Sequence, residues 1–462
     1  MPLEPLQHVP ILLAAGREEM LRPLLVQLVV IILAARVGAA VARWLRQPSV
    51  VGEIVAGLLL GPSAFGTWFP EVFAAVFRVG AGGAAGGGME ASLTSFSQVG
   101  LILLLFLIGI EFDFSHVRRQ GRLAAGISLA GIAAPFALGY VLALLMTPRL
   151  EALGATGSID PRSFALFLGT AMSITAIPIL GRILIEMGMQ HSPLGATVVA
   201  SAACDDAVGW TLLAGVSALA AGNFETGRIA VMIAATLAFA AACLCVVRPL
   251  LLPVLARSVR DDDLGHAGPR LPLGMLSLLL AFLLMAAWIT SRIGIFAIFG
   301  GFLLGASLSG VPKVREAVAA HLADFVTVFF LPIFFTFTGL RTTIGSLGTP
   351  EAVAWCVAVF AVAVLGKWGG CGLAARLGGM PAGEASCVGV FMNTRALMEL
   401  IVINVGMDLG VIPPAVYCML VLMAIGTTLM ATPLAAWMLR GSRYEPTLVA
   451  RGFLKVSTRA AR

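Results

Sequence analysis

The sequence predicts an all-α polytopic membrane protein of about thirteen transmembrane helices, arranged as two inverted six-helix repeats. Three observations predict it. Apolar residues make up 59% of the 462-residue chain and charged residues only 12%, against roughly 25% charged in soluble domains. The apolar residues come in runs near the length of about 20 residues that a bilayer core requires. Motifs in the first half also recur, in the same order, in the second.

No water-soluble fold could hide so much apolar surface, so lipid is the solvent for most of the chain. The 52 glycines suit helix–helix contacts in a membrane, where small residues let backbones approach closely. Between charged or Pro/Gly-rich breaks the runs fall at approximately 24–45, 50–66, 95–112, 124–146, 163–188, 195–220, 228–254, 271–290, 295–310, 323–345, 352–379, 382–407 and 414–438. The second and ninth are short enough to be tilted or partly broken. The implied organisation is an outer N-terminal segment (1–23), a first six-helix repeat (24–220), a connector helix with an inner loop (221–270), a second, inverted repeat (271–438) and a basic cytoplasmic tail (439–462).

Orientation follows from Lys and Arg in short loops, which favour the cytoplasmic side. The richer set holds Arg43 and Arg46, then Arg118, Arg119 and Arg122, then Arg257, Arg260 and Arg270, then Lys313 and Arg315, then Arg376 and the tail. The N-terminus is therefore expected outside and the C-terminus inside, in the inner (plasma) membrane. The first basic residue, Arg17, follows a stretch broken by Pro5 and Pro10, which does not fit a cleavable signal. Val79–Gly88 is expected to be a flexible outer loop, and Arg257–Arg270, with Asp261, Asp262 and Asp263, a hinge between the halves. With a tail this short, no soluble regulatory domain is expected. The net charge of +6 belongs to these topology signals and indicates no nucleic-acid partner. All seven cysteines lie in apolar runs and the five histidines in loops or tails. That pattern suggests neither a metal site nor a cofactor, and nothing points to an enzyme.

The repeat is read from three matched pairs. Ala56-Gly57-Leu58-Leu59-Leu60-Gly61-Pro62-Ser63 in the second span answers Gly300-Gly301-Phe302-Leu303-Leu304-Gly305-Ala306-Ser307 in the ninth. Phe106–Glu111 in the third answers Phe337–Arg341 in the tenth, with Gly109 and Gly339 in step. Met172–Ala176 in the fifth answers Met392–Ala396 in the twelfth. Spans 1–6 thus match spans 8–13, and the odd connector inverts the second copy, a common plan in transporters.

An ionisable residue at membrane depth costs at least about 2.5–3.5 kcal/mol on the insertion scale, so its default reading is functional. Asp205 and Asp206 stand near the middle of the sixth span with about ten apolar residues on each side. Adjacent helix positions are rotated by about 100°, so one carboxylate can pair with a neighbouring helix while the other faces an ion. Lys367, mid-span in the eleventh run, is the expected counter-charge, because a buried lysine must lose its proton or find a carboxylate. In the fifth span Pro178 is expected to break the helix, with the hydroxyls of Ser173 and Thr175 satisfying freed groups. The corresponding stretch of the twelfth holds Asn393, Thr394 and Arg395. Two broken helices in corresponding positions point to a midplane site, and Arg395 could balance a carbonyl end there. Arg182–Glu186 and Arg395–Glu399 are i,i+4 pairs, read as ion pairs supporting these helices. Glu53 is expected to face a cytoplasmic funnel, and Glu111 to be a solvated span end.

Together, Val51–Pro62, Phe106–Glu111, Cys204-Asp205-Asp206, Pro332–Phe335 and Asn393-Thr394-Arg395-Ala396-Leu397-Met398-Glu399-Leu400 resemble the monovalent cation:proton antiporter-2 family over nearly the whole chain. The resemblance implies a sodium/proton antiporter fold with crossed broken helices, usually homodimeric. It assigns spans 1–3 and 8–10 to a scaffold, and spans 4–6 and 11–13 to a moving core. It further implies that Asp206 carries the transported monovalent cation, that Asp205 pairs with Lys367, and that Thr175 and Asn393 or Thr394 lie at the crossing. Potassium-efflux members carry Gln-Asp where this chain has Asp-Asp, as electrogenic sodium/proton antiporters do. The Asn393–Leu400 stretch looks more like plant-type exchangers. The function expected is elevator-like exchange of Na+ or K+ for protons. The alternatives are cation-coupled symport of an organic solute, or a channel-like or sensor subunit.

Overall fold

The computed structural model describes residues 9–45, 47–77, 84–111, 121–151, 153, 159–190, 192–220, 226–259, 269–395 and 397–454. The expected hinge residues 260–268, the basic positions Arg46, Arg118 and Arg119, Ala396 and the end of the tail lie outside them.

The described chain is helical, and each predicted run falls on a helix or a helix pair. Among the described residues, eight continuous helices are long and apolar enough to cross a bilayer, or nine when the bent pair Ala382–Met392 and Leu397–Asp408 counts as one. Ser49–Leu59 and Ala297–Leu308 are apolar but shorter, as expected of the second and ninth runs. The number thirteen therefore stays an expectation. Two boundaries differ from the sequence reading. The first helix begins at Val9, well before residue 24. Residues 84–88 of the expected outer loop form the first turns of Ala84–Glu111, since a glycine-rich stretch joined to a long apolar helix can extend it. Residues 78–83 are not described.

Helix packing divides the chain into two groups. In the first, Val9–Trp44 packs on Ser49–Leu59, Ser49–Leu59 on Leu331–Leu340, Ala84–Glu111 on Ala297–Leu308, and Leu273–Ile293 on Ala297–Leu308. In the second, Gly121–Met146 packs on Pro161–Ser173, Pro193–Ala220 and Gly370–Leu377, while Pro414–Met438 packs on Pro350–Val364, Ala382–Met392 and Leu397–Asp408. Ser49–Leu59 meets Pro414–Met438 across the boundary.

Glycine sets the closest approaches. A Cβ on Gly339 would lie 2.0 Å from the Gly57 carbonyl oxygen, and one on Gly305 2.2 Å from that of Phe106. Both exceed any tolerable contact, so these backbones touch only because the side chains are absent.

Candidate functional site

Two helices of the second group are interrupted midway along their length. Pro161–Ser173 and Ile177–Glu186 are separated by extended residues, with Ile174 at φ −81°, ψ 143° and Ala176 at φ −100°, ψ 91°. Pro178 does not itself mark the break. It stands in the first turn of the second half-helix, where a missing N–H costs nothing because that donor has no intrahelical partner. Ala382–Met392 and Leu397–Asp408 are interrupted around Asn393–Arg395. The breaks touch. Ala176 N donates to the Thr394 carbonyl at 3.1 Å, and Thr175 Oγ1 lies 3.0 Å from the Met392 carbonyl.

A half-helix that ends inside the membrane leaves carbonyls without intrahelical donors, and in lipid these must be satisfied by protein. At Pro161–Ser173 two cations do so. Arg395 donates through Nη1 to the Ala171 carbonyl at 3.0 Å and through Nη2 to that of Met172 at 2.5 Å. Lys367 Nζ donates to the Ser173 carbonyl, and Ser173 Oγ to that of Thr170 at 2.9 Å. Positive charge at a helix C-terminus also complements the helix dipole.

Lys367 reaches this point from a π-turn, Leu365–Gly369, within Pro350–Leu377. Gly366 allows the approach. A Cβ there would come within 2.8 Å of Pro135 Cα.

Asp205 and Asp206 are both fully buried on Pro193–Ala220, yet their surroundings differ completely. Asp205 Oδ2 receives Lys367 Nζ at 2.5 Å and lies 2.7 Å from Thr175 Oγ1, while Oδ1 accepts from Ser128 Oγ at 2.7 Å. Thr175 has one proton to share between Asp205 and the Met392 carbonyl. Neither carboxylate oxygen of Asp206 has a hydrogen-bond partner among the described residues, nor has Asn393 Oδ1. Thr394 Oγ1 donates to the Phe391 carbonyl at 2.8 Å.

The two i,i+4 pairs also differ. Arg395–Glu399 is buried, at 3.4 Å, with Glu399 Oε1 unpartnered among the described residues. Arg182–Glu186, at 3.2 Å, is half-exposed on the outer part of its helix and does not join the crossing. Glu53 departs from expectation. It is buried and pairs with the partly exposed Arg36 at 2.9 Å. Arg36 sits mid-run in the first span, a signal the sequence reading passed over. Glu111 is exposed.

Sequence reasoning also missed Ser128, and Thr428, whose Oγ1 accepts from the Arg395 amide at 3.0 Å and lies 2.5 Å from the Arg395 carbonyl. Lone hydroxyls among alanines and glycines are common in membrane helices, and nothing in one sequence distinguishes these.

The chain matches the family model described as sodium/hydrogen exchanger, transmembrane, over residues 29–441. The chain belongs to the sodium/hydrogen exchanger family. Within reach of this family are relatives of known name. The chain is 37% identical over 409 residues to the Na(+)/H(+) antiporter NhaS4 of Synechocystis sp., covering 88% of this chain and 94% of the relative. It is 34% identical over 421 residues to cation/H(+) antiporter 20 of Arabidopsis thaliana, covering 89% of this chain but 48% of the relative, so the chain spans about half the length of that plant protein. Among solved structures, the sodium proton antiporter MjNhaP1 of Methanocaldococcus jannaschii aligns with a TM-score of 0.58 at 16% identity, over 94% of this chain and 100% of the other. The antiporter fold, here with two helix breaks in contact, is thus the fold of this chain.

Proposed function

We propose that this exchanger-family chain carries a monovalent cation, Na+ or K+, in one direction and protons in the other, with Asp206 as the group for which they compete. One observation carries the reading. Of the five ionisable side chains buried at the crossing, four form two ion pairs, Lys367–Asp205 and Arg395–Glu399. Asp206 has neither an ion pair nor a hydrogen bond among the described residues. A buried carboxylate so placed must take a proton or a cation to balance its charge.

A cation that sheds water needs oxygen ligands. Both Asp206 oxygens and Asn393 Oδ1 are unpartnered and buried among the described residues, which supports a hard monovalent ion as occupant. Protonation of Asp206 removes its charge and displaces the cation. Three donors on Asp205 keep that neighbour in place through both halves of the cycle. Either occupant leaves the crossing neutral, and neutrality lowers the cost of moving the second group of helices past the first. Coupling follows, because the empty, charged site moves least readily. Alternating access by an elevator-like slide, a homodimer, an inner-membrane location with the C-terminus cytoplasmic, and stoichiometry all belong to this proposal. If Lys367 instead yields its proton when the cation binds, two protons move per cation and the cation-loaded crossing carries one negative charge.

The test is direct. In liposomes with an internal pH dye, addition of Na+, K+ or Li+ should shift internal pH with the parent protein and give no response with Asp206→Asn. A full response in that variant, or none in the parent with any of the three ions, sinks the proposal. Under a clamped membrane potential, a voltage-dependent parent and a voltage-independent Lys367→Ala variant are expected if the second proton runs through Lys367. A flux that needs an added organic solute would instead indicate symport.

A further inference from the structure

Among the described residues, side-chain hydrogen bonds between the two groups of helices gather at one place. Arg341, just beyond Leu331–Leu340 of the first group, donates through Nη2 to Asp408 Oδ1 at 2.5 Å and through Nη1 to Asn404 Oδ1 at 3.1 Å. Asn404 Nδ2 donates to Thr338 Oγ1 at 3.0 Å. Tyr417 OH, from the second group, lies 3.3 Å from the Thr338 carbonyl and 3.0 Å from Asn404 Oδ1. The Phe337 ring lies under the Arg341 guanidinium, 5.1 Å away.

The cluster is graded in exposure. Asp408 is 54% exposed and Arg341 19%, while Asn404, Thr338 and Tyr417 are buried. The outer charge pair can exchange its partner for water or salt ions at low cost. The inner three cannot, because a buried donor or acceptor left unpaired loses its full hydration. Asn404 and Asp408 also line a cavity of about 470 Å³, walled by Ser97 and Gln98 from the first group and Ser217 from the second. The surfaces of the two groups are parted beside the cluster and joined at it.

Two of the three second-group residues of the cluster, Asn404 and Asp408, stand on Leu397–Asp408. The other end of that rigid half-helix is the break that carries Arg395. A fastener on one end therefore holds the position of the other.

We propose that Arg341, Asn404, Asp408, Thr338 and Tyr417 form a latch that fixes the second half of the second broken helix against the first group and sets the ratio between two positions of the helix groups. That these positions are the two access states of transport rests on the exchange reading above, but the latch itself concerns only position. The state described here has the latch closed. Removing a contact made in one state and not in the other shifts the population toward the other.

The test measures position and transport separately. Spin labels on bio-orthogonal residues introduced at Thr67, on the short helix Phe65–Trp68 that follows Ser49–Leu59, and at Arg162, at the start of Pro161–Ser173, report their separation in nanodiscs. Arg341→Gln and Asp408→Asn should each raise the population of a second distance about two- to fivefold, the size expected of a partly exposed ion pair. The double variant should do no more than Arg341→Gln alone, because the Asp408 contact is already lost with Arg341. Arg341→Asp combined with Asp408→Arg should return the parental distribution, a rescue that a merely destabilised fold would not show. Tyr417→Phe should act in the same direction through the buried arm. A parental distribution in Arg341→Gln, Asp408→Asn and Tyr417→Phe overturns the latch, as does a charge-swapped variant no closer to the parent than the single ones. Exchange is assayed on the same samples. Full exchange in Asp206→Asn would remove the reading of the site while the distances still decide the latch.

Discussion

Two neighbouring aspartates in one helix acquire opposite fates because a helix turns them apart. Asp205 meets Lys367, Thr175 and Ser128, whereas Asp206 meets no donor among the described residues. The Lys367–Asp205 pair is fully buried, so removing one partner leaves a bare charge. Lys367→Ala is expected to cost about 3–5 kcal/mol of stability. Adding Asp205→Asn should recover most of that loss, since the orphaned charge goes with it. Thermal unfolding of the two variants in nanodiscs checks this, and equal midpoints would contradict it. At this scale the sequence showed the charges well, because an aspartate or lysine inside an apolar run is costly and therefore conspicuous. It showed the uncharged partners poorly. Ser128 and Thr428 cost little to place in a membrane helix, so they leave no mark. Arg341 and Asp408 stood at run ends, where a charge is ordinary, and their partnership spans 67 residues of sequence.

The half-helix Pro161–Ser173 is held at both ends by charge of the appropriate sign. Asp160 caps its start, with Oδ2 accepting from the Ser163 amide at 2.8 Å and from its hydroxyl at 2.7 Å. Arg395 and Lys367 cover its end. The two Ser163 donors hold the Asp160 carboxyl below its ordinary value of 3.8. A depressed carboxylate contributes stability above its unfolded-state value and loses it as pH falls through the folded value. Asp160→Ala should therefore lower stability by about 0.5–2 kcal/mol at neutral pH, and the gap should close once the pH drops below the aspartate range. Melting curves at pH 7 and pH 3 check it; an undiminished gap at pH 3 would refute the assignment of the effect to the ionised cap. The existence of both breaks was legible from the matched motifs around Ser173 and Asn393. The position of the first was not. Proline signals a helix boundary without saying on which side the helix lies, and at Pro178 it opens the following segment.

Across the whole molecule the matched motifs lie against each other crosswise. The second run packs on the tenth, and the ninth, its repeat mate, packs on the third, mate of the tenth. Each contact is made at a glycine on both sides, Gly57 with Gly339 and Gly109 with Gly305. Gly339→Ala should push its helices apart and cost about 1–3 kcal/mol through overpacking. Gly181→Ala, where a Cβ would meet nothing within 4 Å, should be neutral or gain up to about 1 kcal/mol from helix propensity. Unfolding midpoints that fail to separate the two variants would count against glycine-limited packing. Fold class was legible because lipid imposes long apolar runs and the repeat left ordered motifs. The number of crossings was less so, since a short helix such as Ser49–Leu59 and a helix bent at its centre do not carry the length signal of a simple span.

That crosswise glycine contact bears on how such a chain can change over generations. A bulkier residue at Gly57 would strike the Phe335–Thr336 backbone of the helix that carries Gly339, and one at Gly109 the Phe302 and Ala306 backbone of the helix that carries Gly305. The two halves descend as partners, each limiting how large the other's contact residue can become. A half-gene transplanted from a distant cousin would arrive without its counterpart's spacing. The likeness between the halves endures here as a mutual fit, renewed at every substitution that either half accepts.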